Sequence, residues 1–284
     1  MKTSIEVFAQ TDVGMMREGN EDSYLVDQTT SADSDALASV QHLSTEHGII
    51  LMISDGIGGA AAGEVASLLA VESVRDATQW DGLKDKIALR KMVYDAVQKA
   101  NDIIVAKAAE HPHLRGMGAT ATVAGILRDV LVIAQVGDSR GYVIRGNEVV
   151  QVTKDQTFVR TLVDAGNITE EEAETHPRRH ILLQALAQKE IEIPMTELQL
   201  RRGDVLLLCS DGLSGLVGKE DMVKAVSSSS SLNGAAGTLV NLANDRGGPD
   251  NITLILARCV GEGFAPAQEK EQITFQTIFE DKTS

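Results

Sequence analysis

Four aspartates in this sequence share one kind of setting. Asp55 closes the apolar run IILMIS and precedes Gly56. Asp138 follows VLVIAQV and Gly137, and Asp211 closes VLLLCS and precedes Gly212. Asp250 follows Gly-Gly-Pro and comes just before the run ITLIL. A carboxylate at a strand tip, beside a glycine that exposes main-chain carbonyls, suits a hard divalent cation. Any one of these alone reads as a turn former or a helix cap. Gathered together, the carboxylates would repel one another unless cations held them. With no His or Cys in the pattern, the donors are oxygen only, which points to magnesium or manganese over zinc.

The elements that must position these residues follow from periodicity. Short or continuous apolar runs predict strands at Ile5–Phe8, Tyr24–Val26, Ile49–Ser54, Ala119–Leu127, Val130–Val136, Gly141–Ile144, Val149–Thr153, Met195–Leu200, Val205–Ser210 and Ile252–Cys259. Arg128-Asp129 and Gly146-Asn147 read as tight turns. A helix is expected from Gly63 or Glu64 to Gln79. A second, over Leu83–Ala109, carries Leu89, Met92, Val93, Ala96, Val97, Ala100, Ile103 and Ile104 at helical spacing. Further helices are expected near Lys219–Val226 and Ala235–Asn244. Two successive helices without a strand between them argue against a simple βαβ fold. Gln28–His47 reads as a polar surface loop. Lys154–Gln188 reads as a mostly helical polar flap beside the sheet. In the tail after Gly261, Ile273, Phe275 and Thr277 alternate, so it either adds an edge strand or stays loose.

Composition narrows the function. The 284 residues carry 41 acidic and 26 basic side chains, a net charge of −15, which disfavours nucleic acid as a partner. An anionic substrate would need local positive charge, and bound cations could supply it. No apolar run reaches the roughly 20 residues of a membrane helix, and MKTSIEVFAQTD lacks a secretory apolar segment. The expectation is a cytoplasmic monomer. Cys209 and Cys259 lie in or beside apolar runs and read as buried thiols, without the nearby arginine of a cysteine-dependent phosphatase.

Competing motifs are weaker. Gly56–Ala61, GIGGAA, fits a dinucleotide fingerprint, but Asp55 would aim a carboxylate at the pyrophosphate and two helices follow. Neither a nucleotide P-loop nor a serine-hydrolase elbow is present. His176 and His180 in HPRRH lack the glutamate of a zinc protease and read as a basic helix start on the flap.

The ordered series TDVGMMREGNED, SDGIGGAAAGEVAS, GMGATA, GDSR, SDGL and GGPDNIT resembles the metal-dependent protein phosphatases, the type 2C serine/threonine phosphatases, closest in style to bacterial members. The resemblance covers about residues 4–260. It implies an α+β fold, a four-layer αββα sandwich of two antiparallel sheets flanked by helices. It also implies a single catalytic domain over 1–260, with a flap at about 154–190 and a polar tail over 261–284. By resemblance Asp55 bridges two metals, the Gly56 carbonyl binds one of them, and Asp211 and Asp250 hold the other. Asp138, with Asp211, matches a weaker third metal site. Arg17 matches the arginine that grips substrate phosphate, and Glu21 and Asp22 match the acids that orient water at the metals.

The implied activity is hydrolysis of phosphoserine and phosphothreonine in proteins by a metal-activated water, with manganese or magnesium as cofactor. In such a setting the enzyme reverses a bacterial serine/threonine kinase. Three positions depart from the family pattern: Ile57 and Ala60 stand where some members have His, and so does Gln156 in the flap. A binding module with a degenerate site and a hydrolase of small phosphorylated metabolites are the alternatives; metal titration and a comparison of phosphopeptides with phosphometabolites separate them.

Overall fold

The computed structural model describes residues 2–27, 29–31, 36–269 and 271–279; the rest of the polar Gln28–His47 stretch and of the tail lies outside the described residues. In chain order the strands are β1 (Ser4–Asp12), β2 (Asp22–Val26), β3 (Thr29–Thr30), β4 (Gln41–Ser44), β5 (Ile49–Ile57), β6 (Gly118–Ala119), β7 (Ala121–Leu127), β8 (Val130–Val136), β9 (Arg140–Arg145), β10 (Glu148–Gln151), β11 (Met195–Gln199), β12 (Val205–Cys209), β13 (Ile252–Cys259) and β14 (Gln276–Ile278). The helices are α1 (Ala60–Ala77), α2 (Lys86–Glu110), α3 (Phe158–Asp164), α4 (Glu170–Thr175), α5 (Asp211–Ser214), α6 (Lys219–Ser228) and α7 (Leu232–Asp245).

Among the described residues the strands form two sheets. One runs β10-β9-β12-β13-β1-β4, and the other β14-β11-β8-β7-β5-β2-β3 with β6 beside β5. Pairing within both is antiparallel. Strand β5 shows why its sequence is continuously apolar. Ile49, Leu51 and Ile53 face the core between the sheets, while Ile50 and Met52 face a second core under α1 and α2. On the far side α6 and α7 bury Met222, Ala225, Leu239 and Val240 against the first sheet. The result is the expected αββα layering.

Helix boundaries differ from expectation where caps decide them. Helix α1 begins at Ala60, earlier than the Gly63 expected, because Gly58 and Gly59 take positive φ and turn the chain straight into it. Helix α2 begins later, where the Asp85 side chain accepts from the Ile87 and Ala88 amides, both at 3.0 Å. Two expectations are corrected. The polar loop after β2 contains strands β3 and β4, the latter paired with β1. The flap is not mostly helical: only α3 and α4 form, each started by a threonine cap, and Gly166 at φ 71 separates them. After Pro177 the chain first turns on itself, with the Arg179 N–H donating to the His176 carbonyl and the Ile181 N–H to the Arg178 carbonyl, and between Ile181 and Leu186 its other backbone bonds go to Phe158, Gln156 and Ala119. The His176–His180 stretch is therefore a turn after α4, not a helix start. The tail supplies the edge strand β14 on β11, and Phe264 and Ile273 are buried.

Candidate metal centre and active site

Antiparallel register brings the acidic residues together. Asp22 opens β2 directly opposite Asp55 on β5. Asp138 lies in the turn joining β8 to β9, Asp211 follows β12, and Asp250 precedes β13, which pairs with β12. Asp22, Asp211, Asp138 and Asp250 all act on Asp55 through their charge. All these strand ends therefore open on one end of the sandwich.

The backbone around Asp55 is pinned. Its N–H donates to Thr120 Oγ1 at 2.9 Å, and its carbonyl accepts from the Thr120 N–H at 2.8 Å. Thr120 Oγ1 also shares a 2.7 Å hydrogen bond with Ser139 Oγ, which ties the GATA and GDSR segments together. The Gly56 N–H donates to the Glu21 carbonyl at 3.1 Å, and a Cβ at Gly56 would collide with the Gly63 and Glu21 carbonyls. Glycine is thus required where β2, β5 and α1 meet.

The loop bearing Arg17 is held by Asn251. Its Oδ1 accepts from the Glu21 N–H at 2.8 Å, and its Nδ2 donates to the carbonyls of Val13 and Gly19, both at 2.9 Å. Arg17 Nη2 reaches Asp250 Oδ2 at 2.8 Å, with both side chains still partly exposed. The flap is stitched to the centre at its root. Arg140 forks onto Asp155, with Nη2 to Oδ2 at 2.6 Å and Nε to Oδ1 at 3.0 Å. Gln156 Oε1 accepts from the Gly137 N–H at 2.7 Å. His180, from the flap, places Nδ1 4.0 Å from Asp211 Oδ2.

Electrostatics mark the cluster as built for positive charge. Burial pushes Asp22 up to about 7; hydrogen bonds with Thr253 and Ser210 oppose the rise, and Asp211 and Asp250 add to it. Burial and the charge of Asp211 push Asp138 up to about 8. Asp55 is held well above the ordinary range by burial and then by Asp22, Asp211, Asp138 and Asp250. Asp211 is raised by burial and Asp250, against the opposing effect of His180 and a hydrogen bond with Asp55. Burial also raises Glu21, against Arg17. Asp211 Oδ1 is buried with no hydrogen-bond partner among the described residues. An orphaned buried carboxylate oxygen, inside a group of acids that raise one another's proton affinity, fits a hard cation. Among the described residues no three His, Cys, Asp or Glu side chains already close into a ligand cage.

A family model described as protein phosphatase 2C matches residues 28–244. The chain belongs to the protein phosphatase 2C family. It is 37% identical over 260 residues to the serine/threonine protein phosphatase PstP of Mycobacterium tuberculosis, covering 92% of this chain and 46% of that relative. The chain thus spans about half the length of this relative. It is 38% identical over 209 residues to the serine/threonine phosphatase stp of Listeria welshimeri, covering 73% of this chain and 83% of that one. The crystal structure of the catalytic domain of PstP in complex with two manganese ions superposes with a TM-score of 0.74 at 36% identity, covering 90% of this chain and all of that one.

Arg17, Glu21, Asp22 and Asp250 of this phosphatase 2C chain lie outside the matched span, yet the fold returns them to Asp55. Every site residue expected from the sequence reaches this end of the sandwich. Asn251, Thr120, Ser139, Ser210 and His180 join them without having been expected. The first four sit inside motifs already quoted, and a polar residue beside a strand-end aspartate is the signal that could have found Asn251. His180 carries no local signal, because only the path of the flap brings it to Asp211.

Proposed function

We propose that this chain is a manganese- or magnesium-dependent protein phosphatase acting on phosphoserine and phosphothreonine. The observation that carries the reading is the group of buried, mutually repelling carboxylates around Asp55, with the Arg17 guanidinium at its rim. Asp55 would bridge two cations, the Gly56 carbonyl would serve one, and Asp211 and Asp250 the other. Asp138 with Asp211 would serve a weaker third. When bound, the cations neutralise phosphate charge and acidify a water for in-line attack on phosphorus.

The chain's own residues do the rest. Arg17 offers a planar fork to two phosphate oxygens, exchanging its contact with Asp250 for the substrate. Glu21 and Asp22 accept hydrogen bonds from water and orient it. Ser210 Oγ, donating to Asp22 Oδ2 at 2.8 Å, fixes the direction of that carboxylate. Ile57 has no proton to donate, so no side chain at that position assists the leaving alkoxide.

The same reading makes residues 1–260 one catalytic domain with a flap at about 154–190 and a tail over 261–284. It makes the protein a cytoplasmic monomer that reverses a serine/threonine kinase. Among the described residues no helix is long and apolar enough to cross a membrane. The test is phosphate release from a phosphothreonine peptide with manganese, with a chelator, and with Asp211→Asn. Release that needs manganese and collapses in both controls supports the proposal; no release from folded, manganese-loaded protein overturns it.

A further inference from the structure

Large apolar side chains in this protein are mostly buried, so those left in water stand out. Met15 and Met16 are 66% and 74% exposed, in the loop immediately before Arg17. That loop is firmly held. The Met15 N–H donates to the Gly248 carbonyl at 2.8 Å, the Gly14 N–H donates to Asp12 Oδ1 at 2.8 Å, and Asn251 grips Val13 and Gly19 on either side. Gly14 sits at φ +79, and a Cβ there would collide with the Asp250 carbonyl. A rigid frame thus presents two methionines to solvent beside the phosphate-gripping guanidinium.

The flap supplies a matching pair. Ile181 and Leu183 are 46% and 43% exposed and follow His180, the residue that reaches Asp211. Their backbones are fixed too: the Ile181 carbonyl accepts from the Phe158 N–H, and the Leu183 N–H donates to the Gln156 carbonyl, both at 2.8 Å. One apolar pair is therefore anchored to the Asp250 side of the carboxylate cluster and the other to the Asp211 side.

We propose that Met15 and Met16, with Ile181 and Leu183, read the residues flanking the phosphorylated side chain and select protein segments with an apolar residue within two positions of it. This rests on the phosphatase reading, because a phosphate held at Arg17 brings its flanking residues beside Met15 and Met16, which immediately precede that arginine, and toward the flap segment that follows His180. Methionine fits this role because its flexible, polarizable side chain adapts to different apolar partners without demanding one shape. Covering one such side chain removes enough apolar surface from water for a preference of about fivefold to tenfold.

The test uses the manganese-loaded full chain and two phosphothreonine peptides of equal charge, one with leucine and one with serine at the flanking positions. p-Nitrophenyl phosphate, which has no flanks, reports on the centre itself. The expected result is a fivefold to tenfold higher kcat/KM for the leucine peptide, expressed mainly in KM. That ratio should fall toward one in Met15→Ser combined with Met16→Ser, and separately in Ile181→Ser combined with Leu183→Ser. A merely structural role would slow all three substrates together and leave the ratio intact. Equal kcat/KM for the two peptides in the unaltered protein, or a ratio that survives in both double variants, overturns the proposal. Failure to hydrolyse p-nitrophenyl phosphate and both peptides alike would instead remove the phosphatase reading, and this proposal with it.

Discussion

Stripped of divalent cations, the fold should lose stability as pH rises from 5 to 8. Asp22 is 6% exposed, so solvent screens its charge little. Its pKa is pushed from 3.8 to about 7, first by burial and then by Asp211 and Asp250. The folded state therefore keeps a proton that the unfolded chain has already released, and stability falls with pH wherever that holds. The contribution is fully present below the unfolded value and is lost as pH climbs through about 7. Every tenfold gain in proton affinity is worth about 1.4 kcal/mol, and because the unfolded carboxyl is already ionised at pH 5, Asp22 alone accounts for about 3 kcal/mol of loss between pH 5 and 8. Asp138, pushed up to about 8, acts in the same direction, but its repulsion is shared with Asp211 and does not simply add. A loss of about 3 kcal/mol is a large part of a typical folding free energy and corresponds to roughly 6–10 °C in Tm for a chain of this size. The assay is thermal and urea unfolding across this pH range, in chelator and in excess manganese. Manganese should flatten the slope, because cations replace the protons. Asp22→Asn should flatten it in chelator, since the amide carries no charge to bury. A chelated protein equally stable at pH 5 and pH 8, or an unchanged slope in Asp22→Asn, would refute the reasoning.

Two further outcomes follow from the geometry. Asn251→Ala removes three hydrogen bonds that hold the Arg17 loop and should cost about 2–3 kcal/mol in urea unfolding; it should also raise the phosphopeptide KM, since Arg17 loses its frame. Arg140→Lys replaces the fork on Asp155 with a single ammonium contact; limited proteolysis within the flap should accelerate several-fold while β5 and β13 stay protected.

Local chemistry makes the aspartates legible. A carboxylate between a buried strand and a glycine is a short-range pattern, so Asp55, Asp138, Asp211 and Asp250 can be named from their neighbours alone. Most strands and α1, α2, α6 and α7 are also legible, with ends displaced by caps such as Asp85 and by the Gly58-Gly59 turn. The flap departs from its expected helices for a physical reason. Its residues favour helix one at a time, but Pro177 opens a local turn, and from Ile181 to Leu186 backbone groups pair with Phe158, Gln156 and Ala119, partners remote in sequence.

By itself the sequence determined which residues could hold cations, which runs would be buried, and that the balance of charge demanded a local positive centre. The tertiary structure alone decided that Asp22 faces Asp55, that Asn251 frames the Arg17 loop, that Arg140 pins the flap, and that His180 reaches Asp211. Each of these depends on strand register or on a contact between distant segments. Such pairings are set by how two sheets and their helices share a core, and no window of neighbouring residues encodes them.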